Sequence, residues 1–216
     1  MQWQRLWQRK TLLTWGLLPF SWLFQWASQC RRYYLTKRAV HGNLPVIVIG
    51  NISVGGNGKT PVLIALANYL KQQGFHPAII SRGYHATSKK FPLWCHSQSD
   101  PIVCGDEPVM IAQKTQLPIV VDPNRVRAIK AIEEKGGVDV ILSDDGLQHY
   151  RMGRMFEVAV LGSKEALGNG YLLPAGPLRE PLSRLKDVDW IIGDKTLPNV
   201  MHAITIQAVG FFHVNT

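Results

Sequence analysis

The chain has 216 residues, 46% of them hydrophobic, which is enough for one α/β domain with a sizeable core. Its net charge of +9 is unevenly placed, because no Asp or Glu precedes Asp100 while residues 1–99 hold twelve Lys and Arg. A basic N-terminal half suggests an anionic partner such as a membrane surface or a phosphorylated substrate, and the absence of a nucleic-acid motif argues against nucleic acid. Three cysteines without C-x-x-C spacing argue against a zinc site and favour reduced thiols in a cytosolic setting.

The first predicted element is an apolar, tryptophan-rich segment within residues 1–40. Its apolar run at 11–27 has basic residues on both sides and is interrupted by Pro19, so it is at the short limit for a bilayer span of about 20 residues. Tryptophans favour the headgroup level of a membrane, and basic residues attract anionic lipids. We therefore expect a helix that lies in the cytoplasmic membrane interface. A single membrane span and a helix packed on its own domain are the alternatives.

The most informative motif follows a short apolar strand at 46–50. A glycine-rich turn leads from this strand into Gly-Lys-Thr at the start of a predicted helix, which is the layout of a phosphate-binding loop. The residues expected to surround the phosphates are Ser53, Val54, Gly55, Gly56, Asn57, Gly58, Lys59 and Thr60. Backbone N–H groups and the helix dipole favour bound phosphate, and Lys59 would reach the outer phosphates. The consensus has glycine where this chain has Ser53, and the glycines at 55 and 56 partly compensate.

The rest of the pattern alternates strands and helices along residues 41–216, which we expect to form the core domain that carries the phosphate-binding loop. Strands are predicted at 76–81, 118–122, 138–143, 157–161 and 190–193, and helices at 61–73, from 105 onward and at 125–135. Such alternation predicts a mostly parallel sheet with helices on both faces. Residues 86–105 are polar and are predicted to form a loop. Residues 163–187 form a long connection rich in proline and glycine, and such loops are often functional in compact domains.

A second candidate site lies at the end of the predicted strand at 138–143. Asp144 and Asp145 follow this strand directly. P-loop enzymes hold the magnesium of Mg-ATP with a carboxylate at such a strand end, and parallel sheets bind ligands at this edge. Because Asp-Asp-Gly also forms ordinary turns, the pair gains its meaning from occurring together with Lys59. The sequence therefore predicts an ATP site that also binds Mg²⁺.

Five motifs stand in one order along the chain: GNISVGGNGKTP at 50–61, SRGY at 81–84, GDEP at 105–108, DDGLQH at 144–149 and GNGYLLPAGPLRE at 168–180. In this order they resemble the tetraacyldisaccharide 4′-kinase family, whose members phosphorylate a precursor of lipid A. The resemblance implies a P-loop NTPase-like α/β fold and ATP-dependent phosphorylation of the 4′-hydroxyl of a tetraacyldisaccharide 1-phosphate. It also implies a peripheral or monotopic protein on the cytoplasmic face of the inner membrane of a Gram-negative bacterium. Neither nucleic acid nor an obligate protein partner is expected.

The resemblance also implies roles for residues on the nucleotide side of the site. Lys59 and the loop amides would hold the β- and γ-phosphates. Thr60 and Asp144 would organise Mg²⁺, with Glu107 as a further candidate ligand. Asp145 is a weaker candidate for metal binding or for the catalytic network.

On the acceptor side, the resemblance makes Asp106 the candidate base that takes the proton of the hydroxyl group. Arg125 would neutralise charge on the γ-phosphate. Asn169 and Arg179 would face the acceptor lipid. Without the resemblance, Asp106, Glu107 and Arg125 would be interpreted as residues of a helix cap or of a solvated face.

Two departures from the family pattern bear on this expectation. His85 stands where the family usually has glycine, a change within a loop. Family members continue into a second α/β lobe with a histidine that partners the catalytic aspartate, whereas this chain stops at Thr216. We therefore expect that C-terminal lobe to be largely missing. Two alternatives to an active kinase stay open: a membrane-recruited P-loop ATPase or switch, which Val54 in place of a lysine disfavours, and a non-catalytic nucleotide-binding remnant.

Overall fold

The computed structural model describes residues 6–55, 58–84, 86–162, 164–194 and 202–203. Its strands are β1 (Val46–Gly50), β2 (Pro77–Ser81), β3 (Leu93–Cys95), β4 (Ile119–Val121), β5 (Val140–Asp144), β6 (Phe156–Leu161), β7 (Trp190–Gly193) and β8 (His202–Ala203). Within the described residues they form one eight-stranded sheet in the order β3-β4-β2-β5-β1-β6-β7-β8. Every neighbouring pair is parallel except β3 with β4. The predicted mostly parallel sheet is confirmed.

The described helices are α1 (Leu12–Gly16), α2 (Leu18–Thr36), α3 (Lys59–Gln72), α4 (Pro101–Cys104), α5 (Asp106–Thr115), α6 (Arg125–Lys135), α7 (Lys164–Leu167) and a 3₁₀-helix (Leu182–Asp187). Helix α6 has the bounds predicted from the sequence, because local signals set both ends. The Asn124 side chain caps its start by accepting a hydrogen bond from the N–H of Arg127, and Gly136 follows its last residue. Helix α3 begins at Lys59, two residues before its predicted start.

Helices cover both faces of the sheet, as predicted. On one face, alternate strand residues such as Ile49 and Leu142 pack with α3 and α5. On the other face, the intervening residues such as Val48 and Ile141 pack with α6. Because successive side chains of a strand point to opposite faces, strands buried on both sides read as continuous apolar runs. This explains why β1 and β5 are apolar throughout most of their length.

The register of the sheet brings the two candidate motifs together. Ile49 of β1 pairs with Asp144 of β5, and Ile80 of β2 pairs with Ser143 of β5. These strands are parallel neighbours, so their carboxyl ends lie at one edge of the sheet. The glycine-rich loop after β1 and the acidic pair after β5 therefore start side by side.

The prediction of a loop at 86–105 is wrong in part. Strand β3 lies there and pairs antiparallel with β4, with Trp94 opposite Val120. Helix α4 follows, and its N-terminus is capped by Asp100, whose side chain accepts a hydrogen bond from the N–H of Ile102 at 2.8 Å. Three strand residues and four helix residues are too few to show hydrophobic periodicity. These elements depend on the neighbouring β4 and α5 rather than on a local pattern.

Helix α2 packs one face against the rest of the chain. The buried Ser21 donates its hydroxyl to the carbonyl of Leu172 at 2.9 Å and accepts from the N–H of Ala175 at 3.1 Å. Arg32 forms an ion pair with Asp187 at 2.9 Å. In the described part of the chain, no helix combines the length and the hydropathy needed to cross a bilayer. The N-terminal segment is therefore helical over α1 and α2, and its contact with a membrane stays a prediction.

Candidate functional site

The phosphate-binding loop runs from the end of β1 to the start of α3. Gly58 has a φ of 75°, in the left-handed region that favours glycine, and it precedes the first residue of α3, Lys59. Lys59 thus stands at a helix N-terminus, where the dipole and the free N–H groups favour an anion. Gly55 is exposed on the same loop, whereas Gly56 and Asn57 lie outside the described residues. In the described part of the loop, a glycine in the left-handed region thus directly precedes the start of a helix, in keeping with the glycine-rich turn that the motif predicts.

Two residues of the long connection, Pro177 and Leu178, form backbone contacts with the first half of this loop. Ser53 is buried and forms an isolated antiparallel bridge with Leu178. Val54 donates its N–H to the carbonyl of Pro177 at 2.9 Å. These contacts hold the first half of the loop, at the position where the consensus has glycine. They also bring the Pro-Ala-Gly-Pro segment to the edge of the site.

Asp145 lies between two cations at this edge of the sheet. Its Oδ1 is 3.4 Å from Nζ of Lys59, and its Oδ2 is 3.2 Å from Nη1 of Arg179. Burial would raise the pKa of Asp145, but the two cations outweigh burial and the pKa is lowered. The carboxylate is therefore ionised at neutral pH. The structure thus brings together three residues that the sequence analysis assigned to the site separately.

A second group contains Asp144, Thr60 and Glu107. The hydroxyl of Thr60 donates to Oε1 of Glu107 at 2.6 Å. Asp144 is only 4% exposed, and burial, reinforced by Glu107 and Asp145, raises the pKa of its carboxyl to about 7. Its Oδ1 has no hydrogen-bond partner among the described residues, and the Ser81 hydroxyl lies 3.5 Å from its Oδ2. Asp144 is therefore a buried acid in need of a cationic or donor partner.

This second group fits a magnesium ion. Mg²⁺ prefers oxygen ligands and is commonly held by one or two carboxylates together with substrate phosphates and water. Burial and the neighbouring carboxylates raise the pKa of Asp144, and a divalent cation would offset both effects and give its Oδ1 a partner. Within the described ranges, no cluster of three or more His, Cys, Asp or Glu side chains is arranged to hold a metal. An ion here would thus rely on phosphate and water for most of its ligands.

Arg125 joins the ends of two strands. Its Nη1 donates to the carbonyl of Asp122 at 3.0 Å, just after β4, and its Nη2 donates to the carbonyl of Asp144 at 2.9 Å, at the end of β5. Burial lowers the pKa of the guanidinium to about 10, so it stays charged at neutral pH. These contacts show Arg125 stabilising the edge of the sheet. Its predicted contact with the γ-phosphate stays a prediction.

The remaining predicted residues lie in two different settings. Asp106 is exposed in the first turn of α5, next to Glu107. Asn169 instead holds its own loop: its side-chain amide donates to the carbonyl of Ala175 at 2.9 Å, and its Oδ1 accepts from the N–H of Tyr171 at 3.1 Å. Asp106 is thus accessible to an acceptor. The predicted contact of Asn169 with the acceptor stays a prediction, beside a structural role that the contacts define.

A buried polar network links Asn51, just after β1, to Glu180 in the long connection, and the sequence motifs did not predict it. The amide of Gln148 donates to the carbonyl of Asn51 at 2.9 Å and to Oε1 of Glu180 at 2.6 Å. Arg184 then bridges Oε2 of Glu180 at 3.1 Å and Oε2 of Glu157 at 2.6 Å. Gln148 and Glu180 belong to two of the motifs quoted above, and that membership is the signal in the sequence that could have pointed to this network. Their pairing is a long-range contact that no local pattern reports.

Fold and site together define a protein of the P-loop class. Its parallel sheet places Lys59 and Thr60 at a helix start beside a buried carboxylate, Asp144, on the neighbouring strand. More specifically, the chain belongs to the tetraacyldisaccharide-1-P 4′-kinase (LpxK) family, whose model matches residues 13–214. The family resemblance seen in the motifs is thereby confirmed.

Relatives and a solved structure agree with this assignment. The chain is 49% identical over 192 residues to a tetraacyldisaccharide 4′-kinase of Pasteurella multocida and 46% identical over 193 residues to one of Mannheimia succiniciproducens. These matches cover 87% and 88% of this chain but 59% of each relative, so the chain spans about three-fifths of their length. The structure also matches a crystal structure of LpxK from Aquifex aeolicus in complex with ATP, with a TM-score of 0.76 and 31% identity over 90% of this chain and 62% of that one.

Proposed function

We propose that the chain is the nucleotide-binding part of an ATP-dependent kinase that phosphorylates the 4′-hydroxyl of a tetraacyldisaccharide 1-phosphate in lipid A biosynthesis. The observation that supports this most directly is the pairing of Asp145 with Lys59 and Arg179, beside the buried Asp144. Phosphoryl transfer requires mainly positioning and neutralisation of charge, and this edge supplies fixed cations and carboxylates for both. The names of the relatives specify the lipid acceptor.

On the nucleotide side, the loop amides and Lys59 bind the β- and γ-phosphates of ATP. Thr60 and Asp144 hold Mg²⁺, and Glu107, which accepts the hydroxyl hydrogen bond of Thr60, is the third candidate. The ion supplies neutralisation of charge on the phosphate oxygens. Asp145 keeps Lys59 in place until phosphate competes for it. Supporting this division, the pKa of Asp145 is lowered whereas that of Asp144 is raised to about 7.

On the acceptor side, Asp106 takes the proton of the attacking hydroxyl group. Its exposed position in the first turn of α5, one residue from Glu107, supports this role, because it can reach a substrate that lies over the phosphate edge. Arg179 already contacts Asp145 and can move to an anionic acceptor, and Arg125 contributes positive charge from behind. Asn169 would face the acceptor from the neighbouring loop.

The lipid acceptor implies a membrane surface, and α2 provides one candidate contact. We define its aromatic face as Trp22, Leu23, Trp26 and Tyr33, whose exposed fractions are between 62% and 66%. Helical spacing places these residues on one side, opposite the buried Ser21. Such a face suits the headgroup level of a bilayer, where tryptophan and tyrosine are enriched. We propose a peripheral or monotopic location on the cytoplasmic face of the inner membrane.

Transfer of label from γ-labelled ATP to the disaccharide lipid in detergent tests the kinase. Lys59→Ala should abolish measurable transfer, and Asp106→Ala should lower the rate by about 10²–10⁴-fold, the usual contribution of a general base. Lys130→Ala and Glu134→Ala, exposed charges on α6, are matched controls and should leave the rate unchanged. Transfer that survives both site substitutions would refute the mechanism. ATP binding without transfer, if it still depends on Lys59, would instead identify a non-catalytic nucleotide-binding protein.

A further inference from the structure

The hydroxyl group of Ser21 lies at the contact between α2 and the long connection at 163–187. It donates to the carbonyl of Leu172 at 2.9 Å and accepts from the N–H of Ala175 at 3.1 Å. Ser21 is only 3% exposed, so water does not compete for these bonds. A buried backbone N–H or carbonyl that loses its partner is costly. Ser21 therefore fixes the path of the connection against α2.

Trp7 binds the same connection at a second place. Its indole Nε1 donates to the carbonyl of Pro174 at 3.0 Å, and its own carbonyl accepts from the N–H of Asn169 at 2.7 Å. The side chain of Asn169 in turn donates to the carbonyl of Ala175 at 2.9 Å. Residues of the N-terminal segment therefore hold the turn at 169–175 from two directions.

Directly after this turn, the connection pairs with the first half of the phosphate-binding loop. The carbonyl of Pro177 accepts from the N–H of Val54 at 2.9 Å, and the N–H of Arg179 donates to the carbonyl of Ile52 at 2.7 Å. Ile52 is fully buried, so its carbonyl depends on this protein partner. The backbone at the start of the phosphate-binding loop thus takes its position from the connection.

Along the chain, only Gly176 separates these two sets of contacts. Its neighbour Ala175 donates to Ser21, and its other neighbour, Pro177, accepts from the phosphate-binding loop. The N–H of Gly176 donates to the carbonyl of Leu172 at 2.9 Å, the carbonyl that also accepts from Ser21. An added Cβ on Gly176 would clash with another carbonyl of the same turn, so the backbone is closely packed there. A displacement of Ala175 would therefore be passed on to the phosphate-binding loop.

We propose that Ser21 is a positioning residue for the phosphate-binding loop, which it reaches through Ala175 and Pro177. The proposal rests on the proposed function, because it concerns the loop that would bind the nucleotide. A loop whose backbone is already held loses less conformational freedom when its N–H groups close around phosphate, so it binds more tightly. Helix α2 thereby acts on nucleotide binding through its buried side, whereas the aromatic face lies on its other side.

Calorimetric titration of Mg·ATP into the full chain provides the first test. Ser21→Ala should weaken binding about three- to tenfold, the effect expected when one or two neutral hydrogen bonds no longer hold the loop. Ser28→Ala is the matched control, because it makes the same change on α2, two turns further along, at a side chain that is only half-buried. The control should change the affinity by less than about twofold.

Amide hydrogen exchange separates positioning from a general loss of stability. In Ser21→Ala without nucleotide, the N–H groups of Ala175 and Val54 should exchange at least about threefold faster, because the connection opens locally. The N–H of Leu142, in the buried strand β5, should keep its rate. Faster exchange of all three to the same extent would mean that Ser21 only stabilises the fold, and would overturn the proposal.

Trp7→Phe provides an independent variant if Ser21→Ala fails to fold. It removes the Nε1 donor to Pro174 but keeps an aromatic ring, and it should weaken binding of Mg·ATP about two- to fivefold. Trp15→Phe, at an exposed indole of α1, is its control. Unchanged affinity together with unchanged exchange at Val54 would overturn the proposal. If the unaltered chain does not bind Mg·ATP, the proposed function fails, and the exchange rate of Val54 still decides whether Ser21 holds the loop.

Discussion

Replacing Trp22 and Trp26 of the aromatic face by alanine should release the chain from membranes. Both indoles are about two-thirds exposed, at 66% and 65%. A tryptophan presents roughly 150–250 Å² of surface, so each leaves roughly 100–160 Å² available to lipid. At about 25 cal/mol per Å², complete transfer of that area is worth about 2.5–4 kcal/mol. Immersion of about half of the area at the headgroup level then contributes about 1–2 kcal/mol per tryptophan.

These values translate into a measurable loss of affinity. Since about 1.4 kcal/mol corresponds to tenfold in a binding constant, the double variant should bind vesicles about 30- to 1,000-fold more weakly. Sedimentation with vesicles that contain anionic lipid gives the partition coefficient directly. Tyr69→Ala is the matched control, because Tyr69 is an aromatic residue of α3 that is 57% exposed but lies outside α2. If Tyr69→Ala weakens binding as much, or if the double variant binds normally, the aromatic face is not the membrane contact.

Three further predictions concern stability. Arg184→Met should lower the free energy of unfolding, measured by urea denaturation, by about 3–5 kcal/mol, because it leaves two buried glutamates, Glu157 and Glu180, without their shared cation. The control Lys186→Met replaces an exposed cation and should have little effect. The pKa of His149 is lowered from 6.5 to about 4, so the unfolded state binds more protons between these values and stability should fall as the pH drops through them. His149→Gln should flatten this dependence by up to one proton, and an unchanged slope would contradict the buried setting. Gly105→Ala should cost about 1–3 kcal/mol, because φ is 93° and an added Cβ would lie 2.7 Å from the carbonyl of Tyr84; an unchanged melting temperature would exclude this strain.

Local signals explain which parts of the fold could be predicted. The bounds of α6 follow from the Asn124 cap and from Gly136, both within one turn of the helix they delimit. The loop predicted at 86–105 shows the opposite case, since β3 has three residues and is a strand only because β4 pairs with it. Short elements of this kind have too few residues for a periodic pattern, so their state depends on tertiary contact.

The site shows the same division. Lys59 and Asp144 could be assigned from strand ends alone, because parallel strands of one sheet deliver their following loops to one edge. The ion pair between Asp145 and Arg179 could not be predicted in this way. Arg179 lies 34 positions further along the chain, and the ion pair depends on how the long connection folds back. The resemblance placed Arg179 near the acceptor, and the contact with Asp145 emerged only from the structure.

By itself, the sequence determined the class of fold, the phosphate loop and the acidic pair, because hydrophobic periodicity and glycine placement act on neighbouring residues. Only the tertiary structure decided which charges meet. Burial and nearby carboxylates raise the pKa of Asp144, and Asp145 lies between the cations of Lys59 and Arg179. The physical reason is that burial and Coulomb interactions depend on distance in space, and residues far apart in the chain share these distances only after the sheet and its loops have packed.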